Sequence, residues 1–161
     1  MIIAIICWFL FFVVFKSLID EWRQDKISWV KKTSYREVVQ EVINYTYPHL
    51  KARRIRKLPH FTISYHKHKT FQGVFNGTIV IYIKTIDDIP SLIEVVLHEV
   101  MHFIQSESDK NFHLYDYYTK QVGYRKNPFE VESRKFAADN LNQCIEYLES
   151  KKMIKKQFKK F

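Results

Sequence analysis

Apolar positions recur along this chain in three rhythms, each predicting a different kind of element. The first is an unbroken run from Ile2 to Phe15 (I-I-A-I-I-C-W-F-L-F-F-V-V-F), resuming past Lys16 at Leu18 and Ile19. A run of that length lies at the short end of what spans a bilayer, and Lys16 can extend its ammonium to the interface. Residues 1–19 therefore read as a membrane anchor. A cleaved signal peptide would need basic residues ahead of the run and a small-x-small site after it, and the sequence has neither. A buried strand or core helix is the remaining reading.

The second rhythm is helical. Thr33 or Ser34 can cap a helix over about 35–57, with Glu37 placed for a capping box and Pro48 placed to kink or divide it. Val38, Val39, Val42, Ile43 and Leu50 form its apolar face. Asp87 or Asp88, Pro90 and Ser91 introduce a second helix, with Ser91 as the cap and an end near Glu107 to Lys110. A third begins at Asn127-Pro128 and runs to about Lys152, and the lysine-rich end reads as frayed surface helix. The tyrosine-rich stretch 112–120 reads as a further short helix, and Gly123 to Asn127 as a turn.

The third rhythm is strand-like: Leu58 to Tyr65, Phe71 to Asn76, and Thr78 to Thr85, the last two joined by the hairpin signal Asn76-Gly77. Together these predict an α+β fold. A small, mostly antiparallel sheet packs on the second helix and on a C-terminal helix. The domain plan is an anchor at 1–19, a basic juxtamembrane linker at 20–33, and one globular domain at 34–161.

Composition narrows the classes without changing this plan. A chain of 161 residues, 47% hydrophobic and 16% aromatic with three glycines, has a real core and is not disordered. Two cysteines, Cys7 and Cys144, do not make a disulfide framework. The net charge of +9 invites nucleic acid or an anionic membrane. Much of it follows the first apolar run, between Lys16 and Lys32, or lies among the six lysines from Lys151 to Lys160. No nucleic-acid motif accompanies it, so a nucleic-acid partner would rest on charge alone. Basic residues follow the run and none precedes it, which by the positive-inside tendency puts the globular part on the cytoplasmic side.

Chemistry concentrates in L-H-E-V-M-H-F-I-Q, residues 97–105. Four residues apart on one helix, His98 and His102 share a face and can each give a nitrogen to zinc. Glu99 leaves the same turn in another direction, which suits a carboxylate that deprotonates a metal-bound water. His66 and His68, in an H-K-H-K run at a strand end, read as solvated surface.

Two histidines do not complete a zinc site. His113 could be a third ligand, but no glycine between Ser106 and Phe112 lets the chain turn back. Helical phase offers a better one. With about 100° per residue, Ala137, Leu141, Cys144, Ile145 and Leu148 set the apolar face of the last helix, Glu130 falls within it, and Glu132 lies nearly opposite. A glutamate aimed at a core is costly unless paired or coordinated, so Glu130 is the expected ligand. Arg134 lies one turn on, able to pair with Glu130 or face substrate.

His98-Glu99-Val100-Met101-His102 followed by E-V-E-S-R-K-F-A at 130–137 resembles the small gluzincin metallopeptidases, including the ImmA/IrrE-like group and minimal bacterial and archaeal forms. The resemblance covers about residues 60–148 and implies zinc-dependent hydrolysis of peptide or protein substrates. In those families the first glutamate of E-x-E-A-[N/D]-x-F-A is the zinc ligand, in agreement with Glu130. The acidic or amide residue that would support a ligating histidine is Arg134 here. Arg134 cannot accept a hydrogen bond, which leaves Asp139 or Glu132 for that task. A donor to the developing oxyanion is expected from Tyr124 or His113, which lie between the two metal helices, with Tyr115, Tyr117, Tyr118 and Arg134 as further candidates. The competing reading is a non-catalytic, membrane-associated binding or scaffold protein that retains a metal site.

Overall fold

Helix α1 (Tyr35–Tyr45) begins where the sequence places its cap. Ser34 accepts from the Glu37 amide, and the Glu37 carboxylate answers at the Ser34 amide 2.9 Å away. Its Val38, Val39, Val42 and Ile43 are buried. The computed structural model describes residues 27–31 and 33–158, so the apolar run at residues 1–19 lies outside it. Among the described residues no helix is long and apolar enough to cross a membrane.

Buried Thr46 and then Pro48 divide the long helix predicted over 35–57, and α2 (Tyr47–Ala52) follows as a separate short helix. Past its cap at Arg53 comes Arg54, whose φ of 61° is the left-handed turn that usually calls for glycine. The Ile55 amide then reaches back to the Leu50 carbonyl at 2.9 Å.

Strands β2 (Phe61–Ser64), β3 (Gly73–Phe75) and β4 (Ile79–Tyr82) form a three-stranded sheet in the order β2-β4-β3. The sheet is mixed, which corrects the mostly antiparallel arrangement predicted. β3 and β4 pair antiparallel through the Asn76-Gly77 hairpin, with Gly73 opposite Ile81 and Phe75 opposite Ile79. β2 pairs parallel to the other edge of β4, with Phe61 opposite Ile79 and Ser64 opposite Tyr82. The reason is burial. β4 carries fully buried Ile79 and Ile81 and takes the centre, so the 65–72 connection crosses one end of the sheet to place β3 on the far side. The predicted strand through Thr85 stops at Tyr82, and Ile83–Thr85 form a 3-10 turn.

Helix α3 (Ile89–Ser108) is the central element, with twelve buried residues from Ile89 to Gln105. Its cap is Asp88 and not Ser91, because the Asp88 carboxylate accepts from the Ser91 amide at 2.8 Å. A 3-10 turn (Phe112–Leu114), α4 (Tyr115–Val122) and a second 3-10 turn (Tyr124–Lys126) lead to α5 (Pro128–Ser150). α5 packs along α3 and α1, while β3 and β4 cover another side of α3. Residues Lys31–Lys155 form one compact unit that contains all of this.

Among the described residues, the lysine-rich end leaves the helix. α5 closes at Lys152 (φ 58°), and the Met153 amide bonds to the Leu148 carbonyl at 3.1 Å. β5 (Ile154–Phe158) follows, paired in a two-stranded sheet with β1 (Ile27–Lys31), a segment expected to be linker.

Candidate metal centre

Three ligand atoms from two helices converge on one point. His98 and His102 stand one turn apart on α3, with their Nε2 atoms 3.1 Å apart. Glu130, in the first turn of α5, brings Oε1 to 3.1 Å from His102 Nε2 and Oε2 to 3.4 Å from His98 Nε2. A tetrahedral ion with ligand bonds of about 2.0–2.1 Å separates its ligand atoms by about 3.3 Å. The three separations fall close to that value, with each carboxylate oxygen of Glu130 facing one of the two imidazoles. Two imidazole nitrogens and a carboxylate form a donor set that suits zinc. These three residues make up a zinc-binding site with the ligand arrangement of a catalytic metallopeptidase centre.

Local sequence places each ligand. Glu130 is 1% exposed, on the buried face that helical phase assigned to it. It points there because Asn127 starts α5 abruptly. The Asn127 Oδ1 accepts from the Phe129 amide at 3.0 Å, and its Nδ2 donates to the Tyr115 carbonyl (3.1 Å) and Thr119 Oγ1 (2.8 Å). The cap of α5 thereby also holds α4 alongside, and the Tyr115 hydroxyl donates to Glu130 Oε1 at 2.5 Å. Phe112 and Phe129 pack against the Tyr115 ring.

The charges follow from this packing. Burial opposes ionisation of Glu130, but hydrogen bonds from His102, His98 and Tyr115 together hold its carboxyl far below the usual range. Burial also opposes a charge on His102, yet the hydrogen bond and charge of Glu130 outweigh it and raise the imidazole above its ordinary value. Burial raises Glu99, aided by the Glu130 charge and opposed by the two imidazoles. Burial pushes the Tyr115 and Tyr124 hydroxyls up, as does hydrogen bonding to Glu130.

An open cleft of about 530 Å³ fronts the ligands. Glu99, His102 and Glu130 line it together with Gly73, Tyr115 and Tyr124. Glu99 sits against β3 beside Gly73. Gly73 is what permits this approach, since a Cβ there would lie 2.9 Å from Glu99 Cγ and 2.7 Å from Val95 Cγ1. β3 is an edge strand, and its Gly73, Val74 and Phe75 line the cleft.

The remaining sequence candidates separate. Tyr124 and His113 line the cleft, and the His113 Nδ1–H donates to the Lys110 carbonyl at 2.7 Å. Arg134 reaches Glu130 Oε2 at 3.4 Å and donates to the Arg125 carbonyl. Tyr117 is exposed and packs on Tyr118. Asp139 lines a different cavity of about 380 Å³ with His49 and Phe136. Glu132 pairs with Arg53 at 3.3 Å and accepts from Gln105 Nε2 at 3.0 Å. His68 turns inward on its own loop, its Nδ1 accepting from the Thr70 and Phe71 amides.

Sequence reasoning missed Gln105. Buried on α3 one turn beyond His102, it puts Oε1 2.9 Å from His102 Nδ1. Its one sequence signal is a polar residue three positions after a ligand, on the same buried face. No family model, curated protein or solved structure matches this chain.

Proposed function

We propose that this protein is a membrane-tethered zinc metallopeptidase of the small gluzincin type that hydrolyses peptide bonds in peptide or protein substrates. One observation carries the reading: the His98, His102 and Glu130 ligand atoms lie at tetrahedral spacing beside a cleft that Glu99 also lines. Zinc held there supplies Lewis acidity, polarising a carbonyl and lowering the pKa of water.

The chain's own residues do the rest. Glu99 is no ligand in this arrangement. Its raised carboxyl suits a base that takes a proton from the attacking water and hands it to the leaving amine. Tyr124 and His113 are the donors available to a developing oxyanion in the cleft. The outer edge of β3 offers backbone groups to an extended peptide, which would then run past Glu99. The apolar run at residues 2–19 and the basic flank behind it support a tether with the catalytic unit on the cytoplasmic side.

The test compares wild type with Glu99→Gln and Glu130→Ala on a diverse peptide mixture. Wild type is expected to bind one zinc and cleave. Glu99→Gln should keep the zinc and lose cleavage, and Glu130→Ala should lose both. Tyr124→Phe is expected to lower kcat by about 100-fold. A folded, zinc-loaded wild type that cleaves nothing would favour the binding-protein reading.

A further inference from the structure

We infer that Gln105 is a positioning residue: it fixes which nitrogen of His102 faces the metal, and Glu132 in turn fixes Gln105. The inference deepens the zinc reading and rests on it only for its effect on affinity.

The logic is one of donors and acceptors around a buried amide. Gln105 is 1% exposed, so each polar atom of its side chain must find a protein partner. Its Nε2 lies 3.0 Å from the Phe129 carbonyl and 3.0 Å from Glu132 Oε2. Both are acceptors, the carboxylate being paired with Arg53. The amino group must therefore face them, which turns Oε1 towards His102 Nδ1. The Ser133 hydroxyl donates to the same Oε1 at 3.4 Å.

A carbonyl oxygen cannot donate, so His102 carries its proton on Nδ1. With the Nδ1 proton so committed, Nε2, the atom 3.1 Å from Glu130 Oε1, is the nitrogen left to give its lone pair to a metal. Were the amide turned over, Oε1 would face two acceptors. Its NH2 would then demand an acceptor at Nδ1, putting the proton on Nε2, where a metal needs a lone pair. Arg134, on the turn beyond Glu130, offers no acceptor that could do this work. The chain of contacts runs from Arg53 through Glu132 and Gln105 to His102, so a half-exposed ion pair sets the proton of a buried ligand.

Two readouts on the full chain, neither involving peptide, test this. Long-range proton–nitrogen spectra of the metal-free protein report whether His102 Nδ1 carries a proton, and competition with a chromophoric chelator reports zinc affinity. Wild type is expected to show a proton on Nδ1, whether or not Nε2 also donates to Glu130. Gln105→Met should lose that fixed proton and bind zinc about 10–100-fold more weakly. Glu132→Lys changes an exposed residue and leaves the buried packing in place. It replaces an acceptor with a donor and should shift His102 towards the Nε2–H form with weaker zinc binding. Glu132→Gln, which keeps an acceptor oxygen, should restore both.

A wild type with no proton on His102 Nδ1 would overturn the inference. So would Glu132→Lys with tautomer and affinity both unchanged, and this arm decides alone if Gln105→Met does not fold. A wild type that binds no zinc yet shows the Nδ1–H form would sink the metal reading and leave the tautomer assignment standing.

Discussion

A single hydrogen at Gly73 separates β3 from the general base proposed at Glu99. Alanine there would place a methyl 2.7 Å from Val95 Cγ1 and 2.9 Å from Glu99 Cγ, so one of these side chains must move. Overpacking of this kind costs about 1–3 kcal/mol. Gly73→Ala is therefore expected to lower the denaturation midpoint and to reduce cleavage more than zinc affinity, since the histidines are not displaced. Equal loss of zinc and activity would count against that geometry. At this scale Glu130 was legible because helical phase is a property of one segment. Gln105 was not, because its partners Phe129 and Glu132 lie on another helix. A lone glutamine three residues after a histidine says nothing until that second helix is placed.

Between elements, the pairing of α1 with α5 is partly electrostatic. The Tyr147 hydroxyl donates to Glu41 at 2.5 Å, and Lys151 lies 3.5 Å from the same carboxylate. Foremost through Tyr147, the Glu41 carboxyl is held below its ordinary 4.5, with burial opposing. A lowered folded value means stabilisation that is complete above 4.5 and is lost as pH falls through the lowered value. The stability advantage of wild type over Tyr147→Phe should thus be widest above that pH and narrow in acid. An advantage constant from neutral pH to about pH 3 would show that Glu41 is not the linked group. The capping box at Ser34 and the Asn127-Pro128 start were readable because each is written within four residues. The parallel pairing of β2 with β4 was not, because it depends on which strand wins the centre of the sheet. Nor was β5, a strand made by pairing with a distant segment.

For the molecule as a whole, the proposed tether and the metal-binding unit can be tested separately. Removing residues 1–19 is expected to move the protein from the membrane pellet to the supernatant on fractionation while zinc binding stays as it was. Retention in the pellet would reassign the membrane contact to the basic surface. Cys144 offers a view of the unit's internal motion. Its thiol is fully buried on α5, the helix that carries Glu130, and burial pushes its pKa up to about 12. It reacts only when that helix opens, so its alkylation rate, separated from that of Cys7 by peptide mapping, clocks the opening. If opening releases the ion, zinc at about 1,000 times its Kd should slow the clock about 1,000-fold. One buried sulfur thus gives a reading of how firmly a metal staples α3 to α5, with no substrate required.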